Sequence, residues 1–199
     1  MSTAAVATSE STLGGLIDSP DASQGRLAAH LDSLDAAGRV REIRALSGKQ
    51  QKRLWHVCQG APAFTLDDLV PSSLGEGKEV IYAGKNSLGA FSQFEKRFQR
   101  QAGAVVGYNF QSMSWLTGPG YFTCVMSTTN PNELVFDYTT VPQLAPAGWP
   151  AIKPNTSGFS RFVYKNLNDY NRRVSRDVII GSATRAGKDI DSYYVLARS

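Results

Sequence analysis

The sequence predicts a mainly β, α+β protein in which an antiparallel barrel, or a strongly curved sheet, follows a short N-terminal helical preface. Apolar residues before position 60 recur every three or four residues, which is the helical period. After position 60, aromatic and β-branched residues form short alternating runs, and Trp55 is the only aromatic residue before that point. The strand–helix alternation that builds parallel sheets is absent from the sequence. The chain therefore favours an antiparallel sheet that closes on itself.

The domain organisation follows from length and composition. The 199 residues are enough for one domain of ordinary size, and we predict a single domain over 21–199. Residues 1–20 are rich in Ser, Thr, Ala and Gly, which predicts a flexible N-terminal tail. Within the domain, 21–60 are predicted to be the helical preface, and 61–199 the β barrel with short helices.

Two or three short helices are predicted in the preface. Leu27, Leu31 and Leu34 are spaced as residues on one face of a helix. Asp35 and Ser47 stand where N-caps of the following helices would lie. Short polar side chains suit those positions because they accept hydrogen bonds from the free amides of the first helical turn.

Eight segments beyond residue 60 have the composition and the alternation of strands. They are 79–83, 104–110, 112–116, 120–128, 133–139, 160–166, 177–185 and 192–198. Asn130-Pro131-Asn132 predicts a tight turn between two of them, and residues 185–191 connect the last two. Because closure removes the exposed edges of such a sheet, a barrel is the favoured arrangement.

Two short helices and one irregular loop are predicted among these strands. Phe91, Phe94 and Phe98 recur at helical spacing beside charged residues, and 168–174 has a similar amphipathic pattern. The stretch 142–154 contains four prolines. It is predicted to be an irregular loop, because proline lacks the amide that a sheet requires.

Composition and charge limit the environment and the partners. The longest apolar runs are far shorter than the roughly 18–20 residues that span a bilayer, and the N-terminus lacks a secretory-signal pattern. We therefore expect a cytoplasmic protein without stable membrane insertion. The formal charge of +4 is small for a nucleic-acid-binding protein, so no nucleic-acid partner is predicted. No feature of the sequence specifies an oligomeric state.

The motifs that mark common enzyme classes are absent from the sequence. It contains no phosphate-binding loop, no dinucleotide-binding glycine motif, no zinc-protease motif and no serine-hydrolase motif. His30 and His56 are the only histidines, and both lie in the preface. Cys58 and Cys124 lack the spacing of metal ligands. The sequence therefore predicts no catalytic residue, no metal site and no cofactor.

The last third of the chain resembles a known class of barrels. It reads Arg161-Phe-Val-Tyr-Lys-Asn-Leu-Asn-Asp-Tyr-Asn-Arg-Arg-Val-Ser-Arg-Asp-Val-Ile-Ile-Gly181 and ends with Ser192-Tyr-Tyr-Val-Leu-Ala-Arg198. These residues resemble the closing segment of bacterial calycin-like proteins, the class of lipocalin and fatty-acid-binding barrels. The resemblance implies a calycin-like barrel that holds a lipid or a similar apolar molecule.

The strand pattern and this resemblance together predict that a small hydrophobic ligand, fatty-acid-like or lipid-like, binds inside the barrel. Aromatic strand residues are the pocket candidates, and two arginines are candidates to pair with a ligand carboxylate. The predicted ligand-binding residues are Tyr108, Phe110, Trp115, Tyr121, Phe122, Phe136, Tyr138, Phe162, Tyr164, Arg173 and Arg185. Two alternatives stay open. One is an enzyme acting on a bound hydrophobic molecule, with Tyr108 or Asp137 as acid–base group; the other is a structural or interaction module with a solid core.

Overall fold

The protein is a closed eight-stranded antiparallel barrel with short helices against its outer surface. The computed structural model describes residues 12–88, 92–110, 118–155 and 164–199. The strands are β1 (Val80–Asn86), β2 (Gln93–Gln101), β3 (Ala104–Phe110), β4 (Phe122–Met126), β5 (Leu134–Asp137), β6 (Leu167–Arg173), β7 (Val178–Arg185) and β8 (Lys188–Arg198). Each strand pairs with the next along the chain, and β8 pairs with β1 to close the barrel. The predicted mainly β antiparallel barrel is therefore confirmed.

The two ends of the barrel differ. At one end, here called the plugged end, the segment before β1 covers the opening, and its Phe64, Leu69 and Val70 pack into the interior cluster. At the other end, here called the loop end, lie the connections β1–β2, β3–β4, β5–β6 and β7–β8. The first three of these connections include all the internal residues that lie outside the described ranges.

The helical preface is confirmed, together with its two predicted caps. The helices are α1 (Leu13–Asp18), α2 (Gln24–Asp32), α3 (Ala36–Ala45), α4 (Gly48–Val57) and α5 (Leu66–Leu69), followed by a 3-10 turn at Ser72–Leu74. Asp35 Oδ1 accepts a hydrogen bond from the Gly38 amide at 2.6 Å, at the start of α3. Ser47 forms a reciprocal capping box with Gln50 at the start of α4. Each cap satisfies amides that have no partner within their helix.

Helix α1 corrects part of the predicted flexible tail, of which residues 1–11 lie outside the described ranges. Leu13 and Ile17 are fully buried among the other helices. The amide of Leu13 donates a hydrogen bond to Glu42 Oε2 at 2.7 Å. The low helix propensity of Gly14 and Gly15 concealed this helix in the sequence, and the burial of two large apolar side chains outweighs it. The folded domain therefore begins before residue 21.

The barrel wall separates two apolar clusters. The interior cluster consists of inward side chains of the strands, such as Phe98, Phe122 and Phe136. The outer cluster lies between the helices and the outer faces of β7 and β8. Its members include Leu27, Leu31, Ile43, Leu54, Val178, Ile180 and Val195. The alternation of side chains along each strand sends one set into each cluster.

The two helices predicted among the strands are wrong, because both segments are strands. The residues around Phe94 and Phe98 form β2, and 168–174 falls almost entirely on β6. In β2 the side chains at positions 94, 96 and 98 point inward. The middle one is Lys96, and this charge on an otherwise apolar face concealed the two-residue alternation that marks a strand. In β6 the inward positions after Leu167 include the polar residues Asp169 and Asn171, which concealed the alternation expected of a strand.

The remaining strand predictions are confirmed to within a few residues where the structure describes them. The predicted strand 112–116 lies outside the described residues, as does 160–163. The described residues 164–166 do not belong to a strand, so that part of the prediction is wrong. The proline-containing stretch 142–154 has neither helix nor strand, as predicted.

Gly181 provides a test of the interior packing. A Cβ atom at this position of β7 would overlap the ring of Tyr194. We expect Gly181→Ala to lower the free energy of unfolding by about 1–3 kcal/mol, because a packed core has no room for an added methyl group. Gly25 in α2 is a matched control, since nothing lies within 4 Å of its Cβ position. Gly25→Ala should raise the free energy of unfolding by about 0.5–1 kcal/mol. Equal changes in the free energy of unfolding for Gly181→Ala and Gly25→Ala, measured by urea denaturation, would contradict the packing of Tyr194 against Gly181.

Alkaline pH should weaken the fold. Burial raises the pKa of the Cys58 thiol from 9.0 to about 12 and that of the Tyr82 hydroxyl from 10.0 to about 12. The unfolded chain therefore loses these protons at a lower pH than the folded chain, and the stabilisation falls as pH rises. The contribution of these two protonated groups to the free energy of unfolding is complete below about pH 9 and is lost towards pH 12. Urea denaturation at fixed ionic strength should show this decline, and a flat profile would contradict the burial of both groups.

Candidate functional site

Four polar side chains meet inside the barrel, nearer the loop end. Lys96 points inward from β2, and its cross-strand partner Asn109 is the second-last residue of β3. Tyr138 directly follows β5, and Asp169 lies near the start of β6. None of the four exposes more than 6% of its surface. We call these four residues the polar network.

The Lys96 ammonium is the centre of the polar network. It donates hydrogen bonds to Asn109 Oδ1 at 2.8 Å, to the Tyr138 hydroxyl at 2.5 Å and to Asp169 Oδ2 at 3.2 Å. These three acceptors use all three ammonium donors. The Tyr138 hydroxyl also lies 3.3 Å from Asp169 Oδ2, and Asn109 Nδ2 donates to the Gly120 carbonyl at 3.2 Å. The buried positive charge is therefore paired and fully hydrogen-bonded.

Aromatic rings surround this charge. Each of five ring centroids lies 4.9 to 5.8 Å from Lys96 Nζ, within the range of cation–π attraction. Such attraction is strongest for a desolvated cation, and Lys96 is buried. The rings belong to Phe94, Phe122, Phe136, Tyr138 and Tyr194.

Burial shifts the pKa values of the network in opposite directions. Desolvation lowers the pKa of Lys96, and the nearby Asp169 carboxylate offsets part of that effect. Desolvation raises the pKa of Tyr138 well above its usual value, and the Asp169 charge raises it further. Lys96 thus releases its proton more readily than an exposed lysine does, while Tyr138 keeps its proton as a hydrogen-bond donor.

Polar contacts continue from the network along β6 towards the plugged end. The Tyr194 hydroxyl donates a hydrogen bond to Asn171 Oδ1 at 2.7 Å. Asn171 Nδ2 donates to the carbonyls of Leu134 at 3.1 Å and Asp169 at 2.9 Å. The inner face of β6 thereby carries hydrogen-bonding side chains at successive inward positions.

Side chains fill the described part of the interior between the polar network and the plugged end. The rings of Phe98, Phe122 and Phe136 lie with centroids 5.1 to 5.7 Å apart. Tyr82 packs edge-on against Phe98 at 5.4 Å. This half of the barrel is a packed aromatic core.

Tyr164 occupies the space beside Tyr138 on the loop-end side. The two rings are stacked at an interplanar angle of 8°, with centroids 5.3 Å apart, and Tyr164 is 4% exposed. Gly120 lies beneath the Tyr164 ring, where a Cβ atom would overlap it. Gly120 has a φ of 56°, which glycine adopts without strain. The glycine therefore leaves the room that the ring fills.

The structure brings four of the predicted ligand-binding residues together in the interior. Phe122 and Phe136 face inward from β4 and β5, and Tyr138 and Tyr164 stack nearer the loop end. Tyr138 belongs to the polar network itself, so it is the predicted residue closest to the buried charge.

Three other predicted aromatic residues lie on the outside of the barrel. Tyr108 and Tyr121 pack in tilted orientations against Trp149 of the proline-containing loop, at centroid distances of 4.7 and 6.1 Å. Phe110 is 45% exposed on the same outer face of β3. Asp137, the other acid–base candidate, accepts a hydrogen bond from the Thr139 amide at 2.8 Å in an exposed turn. These side chains are therefore separated from the interior by the barrel wall.

The two predicted arginines lie at opposite ends of the barrel. Arg173 is at the plugged end, where its guanidinium pairs with Asp68 at 2.7 Å and donates to the Ala63 carbonyl at 2.6 Å. Arg185 ends β7 at the loop end. Trp115 and Phe162 lie outside the described residues.

Lys96 and Asp169 were missed as site residues by the sequence reasoning. Both fall on the two segments that were predicted to be helices. On a strand, Lys96 shares its face with Phe94 and Phe98 at two-residue spacing, which places a cation on an aromatic inner face. That spacing is the signal in the sequence from which the site could have been found.

Comparisons with protein-family models, with curated proteins and with solved structures found no match. Among the described helices, none combines the length and the apolar composition needed to cross a bilayer. Within the same ranges, no three His, Cys, Asp or Glu side chains cluster closely enough to hold a metal ion. The candidate site therefore rests on its own geometry.

Proposed function

We propose that the protein binds a small hydrophobic ligand carrying one polar group, at the loop-end side of the barrel interior. The observation that carries this proposal is the polar network, in which a lysine and an aspartate lie buried together among aromatic rings. Ligand sites of small molecules have this composition, with mostly apolar walls and a few converging polar groups.

The cost of the buried ion pair supports a functional role. Removal of an ammonium and a carboxylate from water costs several kcal/mol each, and only good geometry with additional hydrogen bonds, as in this network, offsets that cost. A well-packed apolar pair of similar size often stabilises a core by about 1–4 kcal/mol relative to such ions. Groups with strongly shifted pKa values concentrate at functional sites, and burial lowers the pKa of Lys96.

The architecture of the barrel also supports the proposal. Eight strands enclose an interior that side chains can just fill, or that holds one small ligand. Phe64, Leu69 and Val70 close the plugged end, so the ligand enters from the loop end. On that side of the interior the Tyr164 ring stacks on Tyr138, whose hydroxyl belongs to the polar network.

In this proposal Lys96 and Asp169 bind the polar group of the ligand. The sequence had suggested Arg173 and Arg185 for that contact. A ligand oxygen would replace one of the three present acceptors of the Lys96 ammonium, and the Asp169 carboxylate, 3.2 Å from Lys96 Nζ, would accept a hydrogen bond from the ligand. The pair carries no net charge, so it suits a polar group that both accepts and donates, such as a hydroxyl or a protonated carboxyl group.

Two naphthalene probes test the proposal. We expect wild-type protein to bind 2-naphthol about tenfold more tightly than naphthalene, because only 2-naphthol can hydrogen-bond to the polar network. Fluorescence titration measures both affinities. In Lys96→Met/Asp169→Leu the preference for 2-naphthol should disappear. The matched control is Arg26→Met/Asp21→Leu, which removes an exposed ion pair and should keep the preference.

The filled interior favours a second candidate, a structural or interaction module with a solid core. Rings packed at 5.1 to 5.7 Å leave a ligand no place in the half of the barrel nearer the plugged end. This candidate predicts that neither naphthalene probe binds saturably to wild-type protein. That result would overturn the ligand-binding proposal.

A further inference from the structure

The Tyr164 side chain reaches the interior from a position outside the described strands. Phe94, Phe122, Phe136 and Tyr194 extend from strands, whereas Tyr164 comes from the long connection between β5 and β6. Strand residues are fixed by the backbone pairing of the barrel wall, and Tyr164 takes part in none of the pairings that the described residues of β5, β6 and β7 form. Movement of the Tyr164 ring therefore breaks none of these pairings.

The surroundings of this ring define a flat, ring-shaped site. Tyr138 forms one wall by parallel stacking at 5.3 Å, and Gly120 forms another by lacking a side chain. A site bounded by a stacked ring and a bare backbone accepts a planar group and excludes a thicker, saturated one. The hydroxyl of Tyr138 joins this site to Lys96 and Asp169.

We propose that the ligand is an aromatic molecule whose planar ring takes the place of the Tyr164 ring against Tyr138. This inference rests on the proposed ligand-binding function and narrows its ligand class from hydrophobic molecules in general to hydroxylated or similarly polar aromatic rings. In the ligand-free protein the Tyr164 ring occupies the place of the ligand, which explains why the space between Tyr138 and Gly120 is filled.

The Tyr164 ring competes with the ligand for the same place against Tyr138. The free energy needed to displace Tyr164 is subtracted from the binding free energy of the ligand, so removal of the ring should tighten binding. A residue that merely lines a pocket has the opposite effect, because its removal takes away contacts. The sign of the change in affinity thus separates the two roles.

The experiment compares p-cresol, which has the structure of a tyrosine side chain, with 4-methylcyclohexanol, its saturated counterpart. Calorimetric titrations of Tyr164→Ala should show p-cresol binding at least about tenfold more tightly than to wild-type protein. The same variant should prefer p-cresol to 4-methylcyclohexanol. Tyr170→Ala is the matched control, because Tyr170 lies at an outward, half-buried position of β6 and its removal should leave both affinities unchanged.

Failure of this inference is distinguishable from failure of the proposed function. If wild-type protein binds 2-naphthol but Tyr164→Ala binds p-cresol no more tightly than wild type, or binds both alcohols equally, the inference is overturned and the function stands. If wild-type protein binds neither naphthalene probe, both are overturned.

A second measurement covers the case in which Tyr164→Ala does not fold. Wild-type protein labelled with 3-fluorotyrosine is titrated with 2-naphthol, and the Tyr164 signal is assigned with Tyr164→Phe. We expect that signal to move to the position of a solvent-exposed tyrosine as the probe saturates. A Tyr164 signal that stays in place while the Tyr138 signal shifts would overturn the inference.

Discussion

Replacement of Lys96 alone by methionine should lower the free energy of unfolding by about 3–5 kcal/mol, because it leaves the Asp169 carboxylate buried without its partner. Asp169→Leu alone should cost a similar amount, since it leaves the ammonium unpaired. The double variant Lys96→Met/Asp169→Leu should recover most of the loss or exceed wild-type stability. Urea denaturation of wild type, the two single variants and the double variant at neutral pH gives the four free energies of this double-mutant cycle.

The stability of the double variant shows whether the buried ion pair stabilises the barrel. A stability equal to or above that of wild type means that the ion pair is not kept for stability, which favours a role in binding. A loss close to the sum of the two single losses would mean that the pair stabilises the barrel, and the functional proposal would lose its main support. Single losses below about 1 kcal/mol would be those of an exposed pair and would contradict the burial of the network.

Asp177→Ala should lower the free energy of unfolding by about 3 kcal/mol. The Asp177 carboxylate lies 3.4 Å from Arg39 on α3 and 3.4 Å from Arg198 on β8. Asp177 and Arg39 are 8% and 9% exposed, so the substitution leaves a buried guanidinium without its counter-ion. Because the pair connects the preface to the barrel, urea denaturation should show the loss in the main unfolding transition.

A surface ion pair provides the control for Asp177. Lys52 lies 2.8 Å from Asp191, but its side chain is 50% exposed and that of Asp191 is 65% exposed. Solvent screens this pair, so Lys52→Ala should leave the free energy of unfolding nearly unchanged. Equal losses for Asp177→Ala and Lys52→Ala would contradict the buried ion pair between the preface and the barrel.

Local sequence signals were sufficient for the preface and for most strands. Asp35 and Ser47 mark helix starts through a backbone hydrogen bond that depends only on neighbouring residues, so their effect can be read without the fold. The same holds for β3, whose predicted and observed bounds agree, because its alternation is not interrupted by a charge on the inner face.

The two strands that carry the buried ion pair, β2 and β6, were the ones that sequence reasoning misassigned. In β2 and β6, polar residues face the interior at Lys96, Asp169 and Asn171. A pattern rule assigns buried positions to apolar residues, so it fails where a buried charge is retained. Local rules are expected to fail at functional sites for this reason, because such sites keep groups that packing alone would not select.

The positions of the predicted aromatic residues show the same limit. Alternation identifies two faces of a strand but does not say which face is the interior. Tyr108 and Phe122 were therefore equally good candidates, and only closure of the barrel places Phe122 inside and Tyr108 outside.

Native mass spectrometry of wild-type protein and Lys96→Met/Asp169→Leu, each incubated with 2-naphthol, tests the binding site most directly. We expect a one-to-one complex for wild type and its loss or strong reduction for the variant. We also expect any molecule released from purified wild-type protein by organic solvent to contain a polar aromatic ring. A wild-type spectrum without bound 2-naphthol, or equal occupancy of the two proteins, would contradict the assignment of the polar network as a ligand site.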